Sequence, residues 1–256
     1  MSVPPLYLIP CAGLGNRICA TVSAMCAAAD AGTPLHVLWK IDYNIFNAPF
    51  QECFDVAALP QWMKVEEGFV EADSTWLQAR DVSSESAWES YCAQMNGRPL
   101  RIKSHHIFYR GATWSHWLAM LQSLKPHPRI AAQAEALLAW PKVLVGVHIR
   151  RTDNAKAIRE SPSAAFWAAM EAEPPDTIFY LASDSQEERQ AAAGRYPGRV
   201  ITGAKLLGRA EPQECIDAML DLYCLSRCSK IIGSYWSSFS EVAAWWGGIS
   251  LEIVKK

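Results

Sequence analysis

The sequence of 256 residues has no apolar run near the roughly 20 residues that a membrane-spanning helix requires, so no transmembrane segment is expected. It has no basic surplus: the formal net charge is -2, which argues against a nucleic-acid partner. Gly13-Leu14-Gly15 lacks the third glycine of a dinucleotide fingerprint, since Ile18 stands there, and no Gly-Lys-Ser/Thr completes a phosphate-binding loop. Nucleotide-binding kinases and dehydrogenases of those types are thereby excluded. No second close cysteine pair and no histidine joins Cys224 and Cys228 in a zinc set, so the 8 cysteines are read as reduced, mostly buried thiols. No positive segment precedes the first apolar residues, which read as a strand rather than a signal peptide; a cytoplasmic protein is expected.

What is present is an ordinary balance, 50% hydrophobic and 20% charged, in a chain able to bury a core as one large domain or two small ones. The second half is the more legible. Residues 143–149 form a short β-branched apolar run, as in a strand buried on both faces. Ser161-Pro162 opens a helix to about Ala172. Residues 177–182 form a strand, Ser183 or Asp184 caps a helix ending near Gly194, and residues 199–202 form another strand. Pro212 opens an amphipathic helix to about Cys228, followed by a strand at 230–233, a helix at 238–246 and a last strand at 249–254. This alternation predicts a parallel sheet covered by helices, with ligands at the carboxyl ends of its strands. Three polar clusters, at residues 148–153, 183–185 and 234–240, follow three different strands at that rim.

The first half begins alike: a strand at 6–9, a tight turn at 13–17, a helix at 18–29 of small residues and a strand at 35–39. Residues 60–116 hold no steady period, residues 129–140 form a helix, and Trp140-Pro141 is a plausible hinge between an N-terminal lobe, 1–140, and a C-terminal lobe, 141–256. Large aromatics more often fill cores than bind ligands, and that holds for most of the 11 tryptophans. Trp76, Trp88, Trp114 and Trp117 can either stack on sugars or belong to the core.

Arg150 and Arg151 follow the first buried strand of the second half. A guanidinium there can fork onto phosphate oxygens and neutralise a departing diphosphate, or it can form a structural ion pair with Asp153. His148 precedes this pair on the same rim.

His148-Ile149-Arg150-Arg151-Thr152-Asp153 resembles the His-x-Arg-Arg-x-Asp motif of the superfamily joining α1,2-, α1,6- and protein O-fucosyltransferases. In the same order, residues 179–184 are similar to its strand ending in Ser-Asp, residues 233–240 to its serine-rich segment, and residues 13–17 to its Gly-x-Gly-Asn turn. The resemblance implies an α/β fold of the GT-B kind, two facing Rossmann-like lobes with parallel sheets, and inverting transfer of fucose from GDP-fucose to a glycan acceptor. By it Arg150 meets the β-phosphate, Arg151 supports it or touches the nucleotide, and His148 and Asp184 lie near guanine and ribose. Ser237, Ser238 and Phe239 match the phosphate-holding segment, at a helix N-terminus suited to an anion. Gly15 and Asn16 match the turn toward sugar and acceptor. Taken alone, Asp184, Ser237 and Ser238 read equally as helix caps, and Asn16 as satisfying its own turn.

The proton acceptor is open. Where some relatives carry a glutamate about ten residues past the histidine, Ile158 stands here, leaving Glu160 or Asp153 as candidates. No two aspartates are separated by a single residue, so the Asp-x-Asp pair of metal-using glycosyltransferases is missing and neither metal nor other cofactor is expected. His105, His106 and His116 are read as surface or acceptor-side residues. Two rivals remain: another nucleotide-sugar donor, and a catalytically silent nucleotide- or glycan-binding protein.

Overall fold

The computed structural model describes residues 4–67, 77–78, 98–139, 144–203 and 211–256. The chain divides into two compact units, Met1–Lys125 and Pro126–Lys256.

The first unit holds β1 (Leu6–Pro10), α1 (Leu14–Ala31), β2 (Leu35–Trp39), α2 (Phe50–Cys53), β3 (Met63–Glu67), β4 (Leu77–Gln78), β5 (Leu100–Ser104) and α3 (Trp114–Ser123). Its strands are parallel in the order β3-β2-β1-β5-β4, with Leu6 level with both Leu35 and Leu100. α1 is rich in Ala and Cys, and buries nearly its whole surface because such side chains let sheet and helix approach closely. It ends at Gly32, whose φ of 60° lets its N–H reach back to Ala28 O and Ala29 O. Trp39 anchors the core beyond β2, meeting Phe46, Phe50 and Phe54 edge-on and donating its indole N–H to Ala48 O at 2.9 Å.

The second unit holds α4 (Pro128–Leu137), β6 (Leu144–Ile149), α5 (Ala155–Glu160), α6 (Ser163–Glu171), β7 (Ile178–Ser183), α7 (Gln186–Arg195), β8 (Val200–Ile201), α8 (Pro212–Ser226), β9 (Lys230–Ser234), α9 (Ser238–Gly247) and β10 (Ser250–Val254). Its parallel sheet has the order β10-β9-β6-β7-β8. β7 is buried at every residue and β6 at all but its first, which is why both are unbroken apolar runs. Val145, Val147 and Ile149 pack with Phe166, Met170, Phe179 and Leu181. α8 begins on a reciprocal cap, Glu211 with Glu214, and Pro212 in its first turn.

The architecture is α/β with two parallel sheets, as the alternation predicts. Several boundaries differ. α4 packs with α8 and belongs to the second unit, Pro126–Lys256. Leu14 to Arg17 are the first turn of α1, not a separate turn; the cap is Gly13, which carries no side chain to announce it. Asn154 caps the short α5, so Ser161 ends one helix, and Pro162 precedes the next. α7 is capped by Ser185, whose hydroxyl accepts the Glu188 N–H, and not by Ser183 or Asp184. Cys11, Cys19, Cys26, Cys53, Cys215, Cys224 and Cys228 carry thiols, and burial pushes those of Cys26, Cys224 and Cys228 up to about 12. Val143, the Trp140-Pro141 hinge, Trp76, Trp88 and Cys92 lie outside the described residues. No helix among the described residues is long and apolar enough to cross a membrane.

Candidate active site

The polar segments that follow β9, β6 and β7 lie on adjacent strands at the carboxyl rim of the second sheet. Serines from both neighbours clamp the end of β6. Ser234 Oγ donates to His148 O at 3.1 Å and accepts the Arg150 N–H at 2.9 Å, while Ser183 Oγ donates to Ile149 O at 2.8 Å. Beyond them one carboxylate shapes the loop. Asp184 Oδ1 accepts the Arg151 N–H at 2.7 Å, and Oδ2 accepts the Thr152 hydroxyl at 2.7 Å and its N–H at 3.3 Å.

The two arginines differ in what they can do next. Arg151 is 13% exposed and spent inside the protein: Nε donates to Glu188 Oε1 at 2.6 Å, Nη1 to Arg150 O at 2.8 Å and Nη2 to Ser163 Oγ at 3.1 Å. Such a guanidinium positions the loop rather than reaching a ligand. Arg150 is held by carboxylates only, Asp184 on Nε at 3.2 Å and Asp153 on Nη2, and among the described residues its Nη1 has no acceptor. Asp153 is the more exposed of these partners, 45% against 21%.

His148 is buried and stacked on Phe239, ring centroids 4.7 Å apart, which ties the loop after β6 to the start of α9. Burial first, then the Arg150 cation, push its pKa down to about 3 against the pull of Asp184, so the ring is neutral at physiological pH. Its Nδ1 is buried without a hydrogen-bond partner among the described residues, a position that costs free energy unless something fills it. Ser237 precedes α9 without capping it through its side chain, so the amides of the first turn, beginning at Ser238, present an open positive helix end beside Phe239. Glu241 stands in that turn, and burial raises the pKa of its carboxyl.

Glu160 is placed elsewhere. Its carboxylate pairs with Arg159 at 2.9 Å, and its backbone carbonyl accepts the N–H of Lys256 beyond β10. The Arg159 bond is the first of the causes that lower its pKa.

In the first unit, Gly13 caps α1 at the corresponding junction after β1, and Gly15 and Asn16 lie in its first turn. Gly15 is buried, whereas Asn16 is half-buried and its carboxamide has no hydrogen bond among the described residues, so it does not satisfy its own turn. His116 Nδ1 is 3.7 Å from Asp30, which also accepts the Tyr109 hydroxyl, and His105 meets His106 edge-on. No group of three or more potential metal ligands occurs among the described residues. Trp117 is fully buried and belongs to the core; Trp114, 37% exposed, stacks on it.

Glu188, Ser163 and Asn154 are parts of the site that pattern reading passes over, whereas Ser234 opens the polar cluster expected at residues 234–240.

No protein-family model matches the chain, and no curated protein matches it in sequence. Its fold matches solved structures. Fucosyltransferase NodZ from Bradyrhizobium aligns at 17% identity over 95% of this chain and 93% of that one, with a TM-score of 0.63. POFUT1 in complex with GDP aligns at 12% identity over 99% of both chains, TM-score 0.60. A mutant of Arabidopsis thaliana FUT1 in complex with GDP aligns at 15% identity over 98% of this chain and 70% of that one, TM-score 0.63. In these two α/β units the chain shares the fold of these fucosyltransferases.

Proposed function

We propose that this protein is a glycosyltransferase that moves fucose from GDP-fucose to a glycan hydroxyl with inversion at the anomeric carbon. One observation carries the reading: an arginine paired with two carboxylates, one of them solvent-exposed, stands on the same rim as a helix N-terminus without a side-chain cap and an imidazole stack. That set suits a nucleoside diphosphate. The structures sharing the fold include complexes with GDP and GDP-fucose.

The second unit then takes the donor. The acceptor oxygen attacks the anomeric carbon, the bond from that carbon to the phosphate oxygen breaks, and the electron pair passes to the diphosphate. Arg150 and the α9 amides neutralise this charge, the task that a divalent ion performs in other transferases. Of the two candidate proton acceptors, Asp153 stands on the Arg150 loop, whereas Glu160 pairs with Arg159 away from it. Neutral His148 and the Asp184-ordered loop flank the base and ribose. A cytoplasmic setting suits the free thiols of the seven cysteines among the described residues.

Arg150→Ala is expected to keep its melting temperature and lose turnover with GDP-fucose on the order of a hundredfold or more. Near-normal turnover would remove Arg150 from the mechanism. The double carboxylate pairing of Arg150 and the position of Glu160 favour a second reading, a nucleotide-binding protein without turnover. Release of free fucose from GDP-fucose excludes it. A panel of nucleotide sugars, scored by the rise in melting temperature, fixes the donor.

A further inference from the structure

We infer that Trp236 is a stacking platform for a pyranose ring at the reacting end of the donor site, and that the ring it holds is that of the acceptor. The inference rests on the transferase reading above and adds to it a specificity-determining residue.

Trp39, Trp117 and Trp246 are buried, and Trp114, though 37% exposed, lies against Trp117. Trp236 is 61% exposed. Its backbone is strained as well: φ is 57°, a left-handed conformation that a bulky side chain rarely adopts and that costs on the order of 1–3 kcal/mol. Exposure and strain together serve no stability purpose. The position is over-determined from outside, since Asn154 Nδ2 donates to Trp236 O at 2.8 Å and thereby ties it to the loop of Arg150. Lys156 Nζ lies 3.4 Å from the indole centroid and covers one face. Tyr235 tilts against the indole with ring centroids 5.9 Å apart, and the rest of the side chain is open to solvent. Trp236 directly precedes Ser237 and α9, and so adjoins the helix end that the transferase reading gives to the diphosphate. An exposed flat apolar face matches a sugar, whose axial C–H groups stack on the ring, and the Lys156 ammonium fixes the indole from its other side.

The test compares Trp236→Ala, Trp236→Phe and Trp236→Gly with the native chain. Binding of GDP and of GDP-fucose is measured, together with transfer of fucose to an array of neutral oligosaccharides. For the acceptor role, Trp236→Ala raises KM for whichever oligosaccharide is used by about tenfold or more, with GDP-fucose affinity lowered no more than that of GDP, and Trp236→Phe restores much of it. Weaker binding of GDP-fucose but not of GDP moves the platform to the donor sugar and overturns the acceptor assignment. Trp236→Gly, which accepts this φ without strain, should melt no lower than the native chain while losing the same acceptor affinity. A lower melting temperature with unchanged KM shows a purely structural tryptophan and sinks the inference. Failure of the native chain to bind GDP or to transfer fucose is a different outcome: it removes the transferase reading itself.

Discussion

Arg17 and Arg150 each stand just beyond the first strand of a parallel sheet, yet they are held in opposite ways. Arg17 is 1% exposed, lies over Trp39 and Phe46, and donates to two backbone carbonyls, Ala12 O at 2.9 Å and Lys40 O at 2.7 Å. No ligand can take the place of a backbone carbonyl, so this cation braces the turn. Arg150 is held by two carboxylates on a rim, and carboxylates exchange for phosphate. Two arginines at like positions thus divide into a fastener and a reagent, and the partner decides which.

The largest expected effect breaks the comparison at the Arg150 end, where the alanine variant described above loses activity and keeps its fold. At the other end, Arg17→Ala should cost about 2 kcal/mol of stability, read from chemical denaturation, because two acceptors lose a charged donor and an aromatic cage is emptied. If it left stability untouched, Arg17 would have to be sought among the ligand-binding groups.

Acid sharpens the contrast through His148, whose pKa falls from 6.5 to about 3 on folding. Between those values the unfolded chain carries a proton that the folded one refuses. Stability is therefore full above pH 6.5 and declines as pH falls toward 3, by about 1.4 kcal/mol per pH unit at most. Denaturation curves of His148→Gln across that window should lack this component; an unchanged slope would show that His148 is protonated when folded.

The smallest effect concerns Asp153. Asp153→Asn removes a competitor for Arg150 and should tighten GDP binding by about threefold, in the range of a partly exposed ion pair. Calorimetry measures it, and weaker binding would mean that Asp153 supports the phosphate site instead of guarding it. A simultaneous collapse of transfer would mark Asp153 as the proton acceptor.

Legibility differed between the halves for a physical reason. β6 and β7 are covered on both faces and so are continuous apolar runs, while β8 is reduced to Val200–Ile201 within the longer stretch expected. In the first sheet, β3 (MKVEE) and β5 (LRIKS) alternate charged and apolar residues, and β4 is only Leu77–Gln78. Short or half-solvated strands leave no clear period, and residues 60–116 gave no reading of order. α1 hid its first turn behind a glycine cap, and α5 is too short to show a helical repeat. The site was legible as a set of loops, but the separate roles within it were not. Arg150 and Arg151 are adjacent and identical in type, and nothing in their neighbours along the chain says which one is spent.

From its order of residues alone this chain determined that it is α/β, that its second half is a parallel sheet, and that polar segments crown three of its strands, because burial and periodicity are local properties of sequence. Only the tertiary structure decided that Glu188 and Ser163 consume Arg151, that Ser234 and Ser183 lock the end of β6, that Glu160 turns to the C-terminus and that Trp236 stands exposed under strain. Those outcomes depend on which distant groups share a hydrogen bond or an ion pair, and such partners are chosen by strand order and register, which no local pattern encodes.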